Sequence, residues 1–562
     1  MYKNSKFTVI LPTVIACSIA LGILLGGKVF RNNRTRNMPN QSLVTGNSNK
    51  IDMLLSLINT TYVDSVSIDS LIENAIPLIV DELDPHSSYL TKAEVLEANE
   101  IYDAQFDGIG VTFNMLTDTV IVLNVITGGP SADAGIQAGD RIITVNDSTI
   151  AGMKMPQNSV VKRLRGPRGS QVKLGIQRYG HKGLIPITVT RGAIPIKSIL
   201  ASYMIRPEIG YIRFEQFSGT SHSELIAAIS SLKEQGMKKL ILDIRGNGGG
   251  LLDQAIVIAN EFLPVNNMIV YTQNREGQKD IQYSNGKGSF TDEELVVLID
   301  ENSASASEIL AGALQDNDRG TIIGRRSFGK GLVQGQFPFP DGSALRLTIA
   351  RYYTPVGRSI QKPYDKGRES YYNEVYDRYE HDEMFTADSI HFNDSLKFTT
   401  PGGKVVYGGG GIMPDIFVPI DTSDVTPYFR AVTDWDKNIL YRFTLEFSDR
   451  NRARLNGINT VEELDRFFAE QPNLLNDFVA FASRSGVSPN AADIAKSKAL
   501  ILSQLKAYIG RNSPLEDNAF YHCIQQIDPV VDKALETLNR PTESGYRAAA
   551  TDSAAAATIQ PE

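Results

Sequence analysis

The period of the hydrophobic positions changes several times along the chain. An apolar stretch from Phe7 to Gly27 follows Lys3 and Lys6 and is about long enough to span a bilayer, so residues 1–30 read as a membrane anchor or signal segment. Residues 31–48 are polar without apolar periodicity and read as a linker. Between 49 and 103 apolar residues recur at helical spacing, at Ile51, Leu54, Leu55 and Ile58 and then at Leu71, Ile72, Ile76 and Ile79. From 104 to 192 short β-like runs alternate with glycine turns, as in Val120–Val125, Arg141–Val145 and Val172–Ile176. From 193 to 420 strands and helices alternate. Lys239–Ile244 and Leu295–Asp300 are near-continuous apolar runs, as buried strands have, and a helical pattern over 305–316 follows the second. A polar, Tyr-rich stretch at 362–400 reads as a surface insertion in this region. Residues 421–545 return to helical spacing, with Phe467, Phe468, Phe478 and Phe481 in register, and the Ala-rich residues 546–562 are predicted to be disordered. The pattern predicts a multidomain α/β protein, with a β-rich domain ahead of the α/β core and helical regions flanking both.

Composition narrows the chemistry. A chain of 562 residues calls for about three or four domains, and 42% hydrophobic residues with 21% charged ones suffice for sizeable cores. A net charge of -8 speaks against a nucleic-acid partner, which requires a basic excess. Of the two cysteines, Cys17 lies in the apolar N-terminal run, so no disulfide with Cys523 is expected. The six histidines are scattered without metal-ligand spacing, so no metal and no cofactor is expected. Val14-Ile15-Ala16-Cys17 fits a lipoprotein cleavage box, but the run stays apolar from Ser18 to Leu25, which favours an uncleaved anchor. Lys28, Arg31, Arg34 and Arg36 follow that segment, and the positive-inside rule counts them against export.

Three segments of the α/β region carry groups suited to acyl transfer. Glu301–Glu308 (ENSASASE) joins an apolar strand to a helix, where a serine meets free N–H groups and the positive end of the helix dipole. Ser305 to Glu308 is equally a capping box, S-x-x-E, which serves only to start a helix. Arg326–Gln334 (RSFGKGLVQ) sets Lys330 between two glycines, and a lysine becomes a general base toward serine once burial lowers its pKa. The bland alternative is a solvated loop lysine. No histidine of the core stands in a recognisable triad motif, so a Ser–Lys arrangement is the more economical. Asp243–Gly250 (DIRGNGGG) follows a buried strand and lets backbone N–H groups approach a substrate, whereas a dinucleotide fingerprint fails because Leu251 stands where its third glycine belongs. Further upstream, the loop Phe106–Val111 precedes β-like runs, the turn Gly128–Ile136 and Ala138–Ile143. Such a loop can capture a terminal carboxylate while the neighbouring strand edge pairs with the peptide, or it is an ordinary hairpin turn.

Taken in order, these segments resemble the carboxyl-terminal processing proteases, PDZ-containing serine peptidases of the S41 type. The likeness spans residues 50–420 and rests on eight motifs: Leu83–Tyr89, the glycine loop 106–111, Leu164–Gly169, Asp243–Gly250, Ser303–Glu308, Ser327–Gln334, Tyr352–Gln361 and Gly409–Asp415. It implies a crotonase/ClpP-like α/β protease core over 193–420 and a PDZ domain over 104–192, between the helical regions that spacing gives at 49–103 and, beyond the likeness, 421–545. It also implies that Ser305 is the nucleophile, Lys330 the general base and Gln334 the residue that orients the lysine. Ala306, Gly248, Gly249 and Gly250 would form the oxyanion hole. Gly108, Ile109, Gly110 and Val111 would bind the substrate's tail, with Arg165 as the candidate gating residue and Asp316 as a further structural or catalytic acid. The implied substrates are proteins with exposed C-terminal tails. The implied location is the bacterial cell envelope, inner-membrane anchored with the catalytic part in the periplasm. The segment after 421 would serve docking or homo-oligomer formation. Two rivals remain at this stage: a PDZ scaffold that binds tails without cleaving them, and a crotonase-type acyl-transfer enzyme.

Overall fold

The computed structural model describes residues 49–115, 118–126, 128–391, 393–434 and 437–539. The apolar Phe7–Gly27 segment, the linker and the Ala-rich tail lie outside them. Among the described residues no helix is long and apolar enough to cross a membrane. The chain divides into two compact units, residues 1–79 and 80–562. The first holds the helix Asn49–Thr61 and most of the helix Ile68–Asp81.

Within the second unit, the β-rich domain is a six-stranded antiparallel sheet in the spatial order Val111–Asn114, Val120–Val125, Arg141–Val145, Gln171–Gln177 and Ile185–Thr190, with the short strand Ser148–Thr149 also paired to Arg141–Val145. Val111–Asn114 lies at the sheet edge. Alternation decides which residues turn inward: Val120, Val122, Ile142, Val172, Leu174 and Ile176 meet Val160 and Leu164 of the helix Gln157–Leu164 in one core.

The α/β core is a six-stranded sheet ordered Ile199–Arg206, Ile209–Phe214, Lys239–Asp243, Glu294–Ile299, Thr321–Gly324 and Ile416–Phe417, parallel except for its first pair. Parallel strands need cover on both faces, which is why these read as unbroken apolar runs. Leu240, Leu242, Leu295, Val297 and Ile299 face the helices Ser221–Glu234, Leu252–Phe262 and Ala306–Asp316. On the other face Tyr211, Ile241, Val296 and Leu298 meet Val530, Val531, Ala534 and Leu538 of the helix Pro529–Asn539. The end of the C-terminal helical segment therefore completes the protease core.

A second sheet stands beside the first, with Ala344–Tyr353 paired to Leu332–Pro338, to Met268–Asn274 and to the short strand Ser88–Leu90. The Tyr-rich stretch also differs from its polar reading. Its helix Arg368–Glu380 buries Tyr371 and Arg378, and Glu374 takes Lys362 at 2.9 Å and Arg378 at 2.7 Å, while Arg368, Glu369, Asp377 and Glu380 stay exposed. The remaining C-terminal helices, from Pro427 to Ile524, enclose a core that includes Phe467, Phe468, Phe478 and Phe481.

Candidate active site

Ser305 caps the helix Ala306–Asp316 with φ 56° and ψ -113°, backbone that L-residues seldom adopt and that costs about 1–3 kcal/mol. Neighbouring loops hold it there. Ser303 Oγ donates to the Ile244 carbonyl at 2.9 Å, Ser307 Oγ to the Asn247 carbonyl at 2.8 Å, and the Ala304 N–H to the same carbonyl at 3.0 Å. Gly249, at φ +99°, presses against the turn so closely that a Cβ there would lie 2.7 Å from the Ala304 carbonyl oxygen and 2.8 Å from Ser305 Cβ. Gly249→Ala is thus expected to displace the serine and lower kcat about a hundredfold. Steady-state peptide hydrolysis checks this, with circular dichroism showing that the fold is kept.

Lys330 reaches the same place from the loop before Leu332–Pro338. The tie between the two is Glu308, a fully buried carboxylate on the first turn of the serine's helix. Its Oε2 accepts from the Ser305 N–H at 2.9 Å and the Lys330 N–H at 2.8 Å, and its Oε1 from Ser327 Oγ at 2.6 Å and the Gly329 N–H at 2.7 Å. Burial raises the pKa of Glu308, against the pull of these four donors. The Tyr352 hydroxyl adds a second clamp, its single proton shared between the Lys330 carbonyl at 2.5 Å and the Ser305 carbonyl at 3.1 Å. Burial, reinforced by the nearby Arg346 charge, lowers the pKa of Lys330, while Glu308 and Asp84 oppose the shift.

Ser305, Ala306, Lys330, Gln334, Gly248 and Gly250 line one cleft of about 640 Å³. No direct hydrogen bond joins Ser305 Oγ to the Lys330 amine, and the Gln334 amide donates to Thr348 Oγ1 at 3.4 Å instead of meeting the lysine. Gly249 is not in the lining. Its N–H donates to Asn247 Oδ1 at 2.8 Å, so this glycine supports the turn from behind and offers no donor to the cleft. Asp316 sits at the far end of the serine's helix, eleven residues and about 16 Å along the axis, in a buried pair with Arg358 at 2.6 Å. It does not line the cleft.

His86 is a cleft residue that motif reasoning passed over. It enters on the segment leading to Ser88–Leu90, with Nε2 2.8 Å from Tyr371 Oη. Burial and then the Lys330 charge push its pKa down to about 4, so it is neutral at pH 7. The only advance signal was its place in Leu83–Tyr89.

In the β-rich domain, Gly108, Ile109 and Gly110 are buried at the start of the edge strand, whose first residue is Val111. Arg165, at the end of the helix Gln157–Leu164, packs its guanidinium 4.3 Å from the Phe106 ring centre and pairs with Glu100 at 2.8 Å. Glu100 belongs to the helix Lys92–Asp103, whose Ala98, Ile101 and Tyr102 line the catalytic cleft.

A strained serine at a helix N-terminus, a lysine with a lowered pKa in the same cleft and a glycine loop beside them define a serine-type peptidase, and family comparison agrees. The description peptidase family S41 matches residues 208–366, PDZ domain matches 108–189, and a family of unknown function matches 428–513. The carboxy-terminal-processing protease of Bartonella bacilliformis is 40% identical over 309 residues, 54% of this chain and 70% of that protein. The carboxy-terminal processing protease CtpA of Bacillus subtilis is 33% identical over 63% of this chain and 74% of its own length. Among solved structures, the photosystem II D1 C-terminal processing protease is 29% identical, covering 57% of this chain and 91% of that one, with a TM-score of 0.32. The chain belongs to the carboxyl-terminal processing proteases of peptidase family S41.

Proposed function

We propose that this peptidase is an endopeptidase that works through a Ser305–Lys330 pair and recognises substrates by C-terminal tails held on its PDZ domain. The observation that carries the reading is the shared carboxylate of Glu308, which fixes the backbones of both residues at the rim of one cleft. The neutral amine of Lys330 removes the Ser305 Oγ proton as Oγ bonds to the scissile carbonyl carbon. The N–H groups of Ala306 and Gly248 receive the oxyanion, each such donor contributing about 10²–10³ in rate. Protonated Lys330 then gives its proton to the departing amine. A water, deprotonated by Lys330, attacks the acyl-enzyme and restores Ser305. Gln334 orients the amine once its amide leaves Thr348.

The tail docks by strand addition along Val111–Asn114, its carboxylate held by the N–H groups of the Gly108–Gly110 loop. Arg165 couples the two sites, because the Glu100 it holds lies on a helix lining the cleft. The apolar segment before Lys28 supports an inner-membrane anchor, and the family resemblance, against the charges that follow the segment, favours a catalytic part in the periplasm.

The test compares the full-length chain, solubilised in detergent, with Ser305→Ala. A loosely folded protein ending in apolar residues and the same protein ending in charged residues are the substrates. Cleavage of the apolar-tailed protein by the parent alone is the expected result. Undiminished cleavage by Ser305→Ala would sink the nucleophile assignment, and tail binding without cleavage by the parent would favour a scaffold.

A further inference from the structure

The helices after Pro427 have no part in this chemistry, yet they wall a cavity shared with the PDZ domain. Asp449 takes Arg452 at 2.6 Å and lies 3.9 Å from Arg141 of the PDZ sheet. The backbone of Gly139 comes so near that a Cβ would meet Arg452 Nη2 at 2.5 Å. Beside this contact a cavity of about 240 Å³ is lined by Asn114 and Leu123 from the PDZ sheet and by Tyr441, Tyr508, Arg511 and Asn512 from the helical wall.

Position decides what this cavity meets. Asn114 is the last residue of the edge strand Val111–Asn114. A tail with its carboxylate at Gly108–Gly110 runs antiparallel to that strand. At about 3.4 Å per residue its last four residues occupy the four strand positions. The fifth and sixth residues from its end would then pass Asn114, which lines the cavity. Lining chemistry decides what is welcome there. Among the described residues, amides, phenols and a guanidinium line the cavity together with Leu123 and Leu440, and no carboxylate does. Arg511 is paired with Asp517 at 2.6 Å, but its Nε, like Asn512 Oδ1, is buried without a partner among the described residues. Unpaired polar atoms are uncommon in folded proteins and are costly where they persist.

We infer that this cavity is a second subsite for the substrate tail, taking a polar or acidic side chain at the fifth or sixth residue from the C-terminus. The inference rests on tail capture by the PDZ edge strand. It gives a task to a region, 428–513, that matches a family of unknown function.

Fluorescence anisotropy on the full-length Ser305→Ala chain tests it with labelled peptides: an apolar tetrapeptide, the same peptide extended upstream with Glu and Asn, and the same peptide extended with Leu. The Glu/Asn peptide is expected to bind about tenfold tighter than the tetrapeptide, the worth of one hydrogen bond to a charged group. Arg511→Met, which keeps the packing on Phe520, and Asn512→Ala beside it should each remove that gain and leave tetrapeptide affinity unchanged. Equal affinities for the three peptides, or a gain that survives both substitutions, overturns the subsite alone. Failure of every peptide to bind overturns it together with tail capture.

Discussion

Lys330→Met is expected to lower kcat by about 10³–10⁴, within the range for loss of a general base, while thermal stability is kept or rises. The stability half follows from burial. The amine sits where its charge is disfavoured, below its ordinary pKa of 10.5, and methionine fills a similar volume without that penalty. The pH dependence separates this role from a merely structural one. Only the neutral amine can accept the serine proton, so kcat/KM should rise with pH until Lys330 has lost its proton, at a pH below 10.5. Arg346 lowers that pKa by repulsion. Arg346→Gln should therefore raise it and move the acid limb of the profile to higher pH. A limb that stays in place, or moves to lower pH, refutes the base assignment. Initial rates on a fluorogenic peptide from pH 5 to about 10 provide the measurement.

Much of this arrangement was legible in the sequence, for a physical reason. Lys239–Ile244 and Leu295–Asp300 announce buried parallel strands because cover on both faces leaves no polar alternation. Ser305 and Lys330 stand in tight turns that glycine and helix-start residues mark. What could not be read depends on contacts between distant segments. His86 reaches the cleft because Ser88–Leu90 pairs with Ala344–Arg346, more than 250 residues away. The helix Arg368–Glu380 is exposed along most of its length, as its polar pattern suggests, and what spacing could not show is that Glu374 neutralises Lys362 and Arg378 on its inner side. Pro529–Asn539 resembles the helices before it in sequence, and nothing local says that it leaves them to cover the protease sheet. Gly249 carries the same motif signal as Gly248, and only the Asn247 side chain separates their uses.

Glu308 gives the second large expected effect, and its local pattern concealed it. In sequence it completes a capping box, and it does satisfy the Ser305 N–H in that way. The other three donors come from the lysine loop, so one carboxylate sets the serine turn and the lysine turn relative to each other. Glutamine at this position keeps one carbonyl oxygen and replaces the other acceptor with an NH₂ group. Two of the four donors then face a donor in either amide orientation, at about 1–3 kcal/mol for each buried group left unsatisfied. Glu308→Gln is therefore expected to destabilise the protein by about 2–6 kcal/mol, read from denaturant unfolding. The kcat of the fraction that remains folded should fall about a hundredfold through misplacement of the pair, with KM little changed because Glu308 does not line the cleft. Charge loss adds a distinguishing sign. The Glu308 carboxylate holds the Lys330 pKa up, so the variant's acid limb should move to lower pH, opposite to Arg346→Gln. A variant that is destabilised yet turns over substrate at the parental rate would show that Glu308 serves the fold without positioning the pair.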